Sequence, residues 1–331
     1  MGGGEGARPG GGWGRAAAGA AALGGGAAAM AALYLAATRA AFWDKAVGSG
    51  PEDGEQDRAE RERLQRAYTA MAESFRREGL DPAAVVANRK YFGGLSGAAG
   101  EWRTAWPREY ADLTPPLPFP SVRLVVLPLS TCPRLRNLAT AAAAAMSREL
   151  PAGCISHLQP PNSLHVSVFF VSHPSDVRPD AIRGGEEGSS FADIAPSAEA
   201  VVLEQEAVRS AVQSVVRRPR LVVEGVVFSR SGTLLLLFVE EGGGVVRRLR
   251  SDLRDVFKGA PAKQPNILHA SLLRLLSPET LPAECLKDIN RVCEEWTVKL
   301  RGQIFEPEHL WFVHEREFAT VSGEKTRYCL P

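Results

Sequence analysis

The sequence predicts an α+β protein whose main body is two lobes related by an approximate two-fold axis. Three observations carry this expectation. An eight-residue segment, Pro161-Asn162-Ser163-Leu164-His165-Val166-Ser167-Val168, returns as Pro265-Asn266-Ile267-Leu268-His269-Ala270-Ser271-Leu272. The offset from His165 to His269, 104 residues, holds at every position, and Pro, Asn, Leu, His and Ser are identical in the two copies. Each copy runs into further apolar residues, Phe169-Phe170-Val171 and Leu273, which reads as a buried strand. Around both copies the order strand, helix, motif strand, helix, strand is repeated, the signature of an internal duplication.

Side chains alternate between the faces of a strand. Leu164, Val166 and Val168 therefore share one face, and His165 and Ser167 the other. The second copy repeats this with His269 and Ser271. Each motif strand is expected to turn an imidazole and a hydroxyl toward the cleft between the lobes. A lone His-x-Ser would more often be a satisfied core or rim residue. Two copies in matched contexts, in a chain with only 6 His, favour function.

Taken in order, residues 1–15 are Gly-rich and read as a disordered tail. Ala16–Thr38 carries no charge over 23 residues, long enough to cross a bilayer as a helix, although it is mostly Ala and Gly. Its first reading is a single-pass membrane anchor, flanked by Arg15 and Arg39 with Phe42 and Trp43 at the interface. An organellar targeting peptide is the second and low-complexity disorder the third. Residues 51–78 are dense in both charge signs, with Leu64, Tyr68, Met71 and Phe75 on one helical face. They read as an amphipathic helix docked on the body, ahead of a coiled-coil stalk, for which one stripe is too short. Residues 79–117, punctuated by Gly93-Gly94, Gly97, Gly100 and Pro115-Pro116, read as a linker.

The catalytic body is placed at 118–331, with lobes at about 118–228 and 229–331. Strand Val122–Leu129, helix Pro133–Leu150, the first motif strand, a Gly/Glu-rich loop over 178–190, helix Ser197–Arg217 and strand Arg220–Phe228 make the first. Strand Thr233–Val239, helix Val245–Phe257, the second motif strand, helix Pro278–Trp296 and strands Val298–Phe305 and His309–Val313 make the second. Gly242-Gly243-Gly244 is a turn, since it lacks the Lys-Ser/Thr of a phosphate-binding loop.

Lys+Arg 39 against Asp+Glu 38 gives a net charge of +1, so no global basic field argues for binding long nucleic acid. A short RNA end or a small nucleotide remains compatible. The five cysteines include no Cys-x-x-Cys and are odd in number, which argues against a zinc ribbon and a disulfide framework.

Phosphodiester chemistry needs a group that takes a proton from the attacking oxygen, one that gives a proton to the leaving oxygen, and donors for the phosphoryl oxygens. Two imidazoles facing each other across a cleft can serve the first two needs near neutral pH, and two hydroxyls the third. Two His are too few for a catalytic zinc site, and no Gly-x-Ser-x-Gly elbow is present for a serine nucleophile. His157, His173, His309 and His314 read as structural, and Phe169, Trp311 and Tyr328 as the candidates for stacking a base.

Paired His-x-Ser motifs on strands one lobe apart resemble the 2H phosphoesterase superfamily, over about residues 118–331. That superfamily includes RNA 2′,3′-cyclic phosphodiesterases, LigT-type RNA ligase-like proteins and snRNA 3′-end phosphodiesterases. Most members carry Thr in the motif; His165-Val166-Ser167-Val168 leans toward the snRNA-processing branch named for its HVSL signature. The resemblance implies antiparallel sheets flanked by helices, His165 and His269 as general acid and base, and Ser167 and Ser271 as phosphate holders. It implies no cofactor and no metal. The expected function is a metal-independent phosphodiesterase acting on RNA 3′ ends or 2′,3′-cyclic nucleotides. The body is expected to be monomeric and membrane-anchored through residues 16–38, with organellar or nuclear targeting as the alternative. The competing functions are a non-catalytic nucleotide- or RNA-binding module on the same fold and a membrane-tethered scaffold.

Overall fold

A computed structural model describes residues 51–95, 103–117, 122–178, 180–182 and 198–331. The Gly-rich tail, Ala16–Thr38 and most of the 178–190 loop lie outside the described residues. No helix among the described residues is long and apolar enough to cross a membrane. That corrects the expectation of single-pass anchoring, which rested on Ala16–Thr38. The one described helix with ample length, α1 (Pro51–Glu78), is interrupted by charges such as Glu60-Arg61-Glu62-Arg63.

The chain is α+β, with six α-helices among the described residues. After α1 come α2 (Pro82–Arg89), β1 (Phe92–Gly93), β2 (Arg103–Thr104), β3 (Trp106–Pro107) and β4 (Val122–Pro128). Then follow α3 (Pro133–Glu149), β5 (Ile155–Leu158), β6 (His165–Phe170), α4 (Ala198–Gln213) and β7 (Arg220–Phe228). The remainder is β8 (Thr233–Glu241), α5 (Val245–Val256), β9 (His269–Leu275), α6 (Ala283–Leu300), β10 (Ile304–Phe305), β11 (His309–Glu315) and β12 (Gly323–Cys329).

Two sheets hold the two motifs. One has four strands in the order β12-β11-β4-β6, with the first motif strand at its edge. The other has six in the order β10-β7-β8-β9-β5-β2, with the second motif strand inside it. Pairing is antiparallel throughout both, except between β2 and β5. The sheets are not divided at residue 228. β11 and β12 come from the C-terminal end of the chain but pair beside β4, while β5 and β7 precede residue 229 and join the second motif. Each of these two sheets is thus built from both halves of the sequence. A strand pattern read along the chain shows elements, whereas ladder partners are decided by long-range pairing.

Between the sheets lies a common core. Val166, Val168, Ala270 and Leu272, the inward faces of the two motif strands, join Val125, Leu127 and Leu236 there. α1 lays Leu64, Tyr68 and Phe75 into the same core, with Met71 packed against it, and Phe75 meets Phe228 at 5.1 Å. The docked reading of this helix follows from its apolar stripe. The largest differences in boundary from the sequence expectation fall near the second helix of the second half. α6 starts at Ala283, five residues later than Pro278, and runs through Val298 to Leu300, leaving only Ile304–Phe305 as strand. Val298 is β-branched but 83% exposed on the helix surface, so its β propensity has no sheet to satisfy. The expected linker over 79–117 contributes packing: Tyr91, Phe92 and Tyr110 are buried in a second apolar cluster.

Candidate active site

The ladder registers hold the information that strict alternation misses. β4 pairs Val126 with Ser167 and Val125 with Phe169, so Val168 is an extra residue in β6. β8 pairs Leu235 with Ser271 and Leu234 with Leu273, so Leu272 is the extra residue in β9. These β-bulges occupy matching positions in the two copies. A bulge inserts one residue and shifts the alternation of everything after it. Val168-Phe169 and Leu272-Leu273 are therefore buried as consecutive pairs, and Phe170 and Arg274 emerge on the face of the motif His and Ser.

His165, Ser167, His269 and Ser271 line one cavity of about 230 Å³. Phe170, His173, Arg274, Glu315 and Phe318 line it as well. The two sheets thus bring the four sequence candidates to a single space and add charged and aromatic neighbours.

Arg274 donates from Nη2 to the Ser271 hydroxyl at 3.3 Å and from Nη1 to the Thr233 hydroxyl at 3.2 Å. Its guanidinium lies 5.0 Å from the ring centre of Phe318, which stacks on Tyr91 at 4.2 Å. Burial lowers the Arg274 guanidinium to about 10, well inside the cationic range at neutral pH. Because Ser271 accepts from Arg274, its hydroxyl proton is available for a ligand oxygen. Glu315, on β11, accepts from the Tyr110 hydroxyl at 2.9 Å and from the Val321 amide at 2.9 Å. Burial raises its carboxyl to about 7, opposed by those hydrogen bonds and by Arg274.

His165 is held down at about 4, chiefly by burial and then by Arg274 and Lys325, against a hydrogen bond that favours the imidazolium. That bond runs from His165 Nδ1 to the Ser163 carbonyl at 2.8 Å. A carbonyl only accepts, so Nδ1 carries the hydrogen and Nε2 is left for the cavity. His269 is pushed down to about 3, first by burial and then by Arg274, His165 and Arg250. Its Nδ1 is buried with no hydrogen-bond partner. A proton on the pair is better accommodated on His165.

The remaining sequence candidates lie elsewhere. Phe169 is in the core against Phe257 at 5.7 Å, the Tyr328 hydroxyl donates to the Gln205 carbonyl at 2.8 Å, and Trp311 packs beside His309. None of these rings lines the cavity; Phe170 and Phe318 do. The sequence reading missed Phe170 by one position because it counted the strand without its bulge. His157 bonds the Ala105 carbonyl from a buried position, and His314 sits edge-on to Phe312. His173, read as structural, borders the cavity with its ring edge-on to Phe170 at 5.0 Å. The signal that could have exposed Arg274 is the pair of consecutive apolar residues after each motif Ser.

No family model and no curated protein matches this chain. Among solved structures it is similar to a conserved protein of unknown function, ATU0111, from Agrobacterium tumefaciens. The identity is 16%, 63% of this chain and 84% of that chain are covered, and the TM-score is 0.43. It is also similar to Usb1 from Kluyveromyces marxianus, at 12% identity over 63% of this chain and 98% of that chain, with a TM-score of 0.36.

Proposed function

We propose that this chain is a metal-independent phosphodiesterase acting on RNA 3′ ends or 2′,3′-cyclic nucleotides. The observation that carries the reading is the meeting of both His-x-Ser pairs in one cavity beside a half-buried arginine, Arg274. His269 takes the proton of the attacking hydroxyl, either a ribose 2′-OH or water. The phosphorus–oxygen bond to the leaving group breaks, and imidazolium His165 gives its proton to the departing oxygen. One turnover leaves His269 protonated and His165 neutral, and exchange with water restores them. Ser167 and Ser271 donate to the non-bridging oxygens, and Arg274 offsets the charge that gathers there. The assignment of His165 as acid rests on its Nδ1 bond to the Ser163 carbonyl, which His269 has no counterpart for. Phe170 and Phe318 offer ring faces or edges to a base.

The test is turnover of a 2′,3′-cyclic nucleotide by the purified chain in EDTA. Full activity in chelator is the expected result, because no step of the scheme uses a metal. Loss of activity in EDTA contradicts the scheme, and tight binding without turnover identifies a binding module.

A pH profile adds a second check. In the free protein both imidazoles titrate below 6.5, so the protonated form of His165 is scarce at neutral pH. The ratio kcat/KM reports the free enzyme, and it is expected to fall as pH rises from about 5 to about 8. In the complex, the phosphate's negative charge favours the imidazolium, so the limb that needs a protonated histidine moves to higher pH in kcat than in kcat/KM. Superimposable profiles for kcat and kcat/KM would remove His165 from the acid role.

A further inference from the structure

We propose that Arg250 is a positioning residue that sets the separation of the two histidine strands across the cavity. Its consequence for catalysis rests on the two-histidine reading above; its geometry does not. β6 and β9 belong to different sheets and share no ladder, so backbone pairing does not hold one against the other. β6 is an edge strand, and its bulge leaves Val168 without a ladder partner. Arg250 takes up that gap. Its Nε donates to the Val168 carbonyl at 3.1 Å and its Nη2 to the Ser167 carbonyl at 3.2 Å. The same Nη2 donates to the Ile267 carbonyl at 3.0 Å, two residues before His269. One guanidinium therefore bridges the first motif at Ser167 and the second beside His269.

The mounting of Arg250 is rigid. Val246 and Leu253, four residues before and three after Arg250 on the same side of α5, are buried in the core together with Leu249. The Glu240 carboxylate accepts the Val246 amide at 2.9 Å at the start of that helix, and Arg247 pairs with Asp57 of α1 at 3.1 Å. α1 also holds the same approach to His269. Arg63 donates to the Asn266 carbonyl at 2.7 Å, and the Tyr68 hydroxyl accepts the Leu268 amide at 3.1 Å while donating to the Phe238 carbonyl at 2.7 Å. Asn266, Ile267 and Leu268 are thus held in turn by Arg63, Arg250 and Tyr68. Arg250 differs from the other two in reaching the first motif as well. Three carbonyls, two on β6 and one on the segment leading into β9, call for a planar fork with several donors, which a lysine ammonium does not reproduce.

The test uses the full chain with Arg250→Met and Arg250→Lys. Crystal structures of both are compared with wild type, and kcat and KM are measured on a 2′,3′-cyclic nucleotide below the melting transition. We expect the His165–His269 separation to change by about 1 Å in Arg250→Met, with kcat down about 10²-fold, since a misplacement of that size carries such a cost. KM is expected to stay within a few-fold, and Arg250→Lys to lie between Met and wild type in both readouts. A merely structural arginine would lower the melting temperature and leave kcat per folded molecule intact. An unchanged separation in folded Arg250→Met overturns the proposal, as does an unchanged kcat. If Arg250→Met does not fold, Arg250→Lys decides by the same two criteria. If the wild-type chain turns over no substrate, the phosphodiesterase reading fails, while the separation still decides for or against Arg250.

Discussion

Replacing His165 or His269 with Ala is expected to lower turnover of a 2′,3′-cyclic nucleotide by about 10²–10⁴-fold each, the usual contribution of a positioned acid or base. The physical ground is their placement. Both rings reach one cavity, from strands whose opposite faces, Val166 and Ala270, are fully packed in the core. Truncation therefore removes a proton carrier without opening the apolar side of either strand. The double variant is expected to lose far less than the product of the two factors, because acid and base serve one transition state. Ser167→Ala and Ser271→Ala remove one donor each, and an optimised donor of this kind is worth about 10²–10³-fold. Ser271→Ala is expected to cost more, since Arg274 orients that hydroxyl. Steady-state kinetics of the five proteins, with circular dichroism melts as the folding control, measure all of this. Single His variants with near wild-type kcat would dismiss the acid–base scheme.

The largest expected effect on stability comes from the opposite face of the same sheet. Arg123 of β4 and Glu204 of α4 are both 0% exposed and meet at 2.6 Å and 2.8 Å through a two-point contact. Arg123 also donates to the Arg178 carbonyl at 2.6 Å, tying β4, α4 and the chain after β6 into one knot. Glu204→Ala takes a two-point carboxylate partner away from a buried guanidinium, and breaking a buried pair from one side costs about 3–5 kcal/mol. Urea denaturation is expected to show a midpoint shift of that size. The double replacement Arg123→Met with Glu204→Leu is expected to recover much of the loss, because it removes both desolvated charges at similar volume. A loss in the single variant below about 1 kcal/mol, the range of an exposed pair, would mean that the contact is solvated.

How far the sequence could be read depends on the range of the interaction involved. The repeat at His165 and His269 was visible because it is local and copied, and the alternation within each copy placed His and Ser on one face. The apolar stripe of α1 was equally local, and Leu64, Tyr68 and Phe75 lie where that stripe puts them. Counting failed at Val168 and Leu272, since a bulge is a property of the ladder with β4 or β8 and cannot be seen in one strand. That single shift hid Phe170 and Arg274. β12 escaped for a related reason. Gly323–Cys329 is polar and largely exposed, with little alternation to announce it, and becomes a strand through its ladder with β11. Glu315 entered the site through pairing of β11 with β4, which brings a C-terminal residue beside the first motif's sheet. The Val298 region shows the converse error, where β-branched residues suggested a strand and α6 continued through them.

The central claim is that two imidazoles from two sheets act on one phosphodiester. Mass-spectrometric analysis of a short oligoribonucleotide with defined 3′ ends, incubated with the wild-type chain and with the His165→Ala/His269→Ala double variant in EDTA, tests it most directly. The expected result is chelator-resistant change at the 3′ end by the wild-type chain and none by the folded double variant. Equal processing by both proteins, or an intact oligonucleotide with both after a cyclic nucleotide has also been left unchanged, would contradict it.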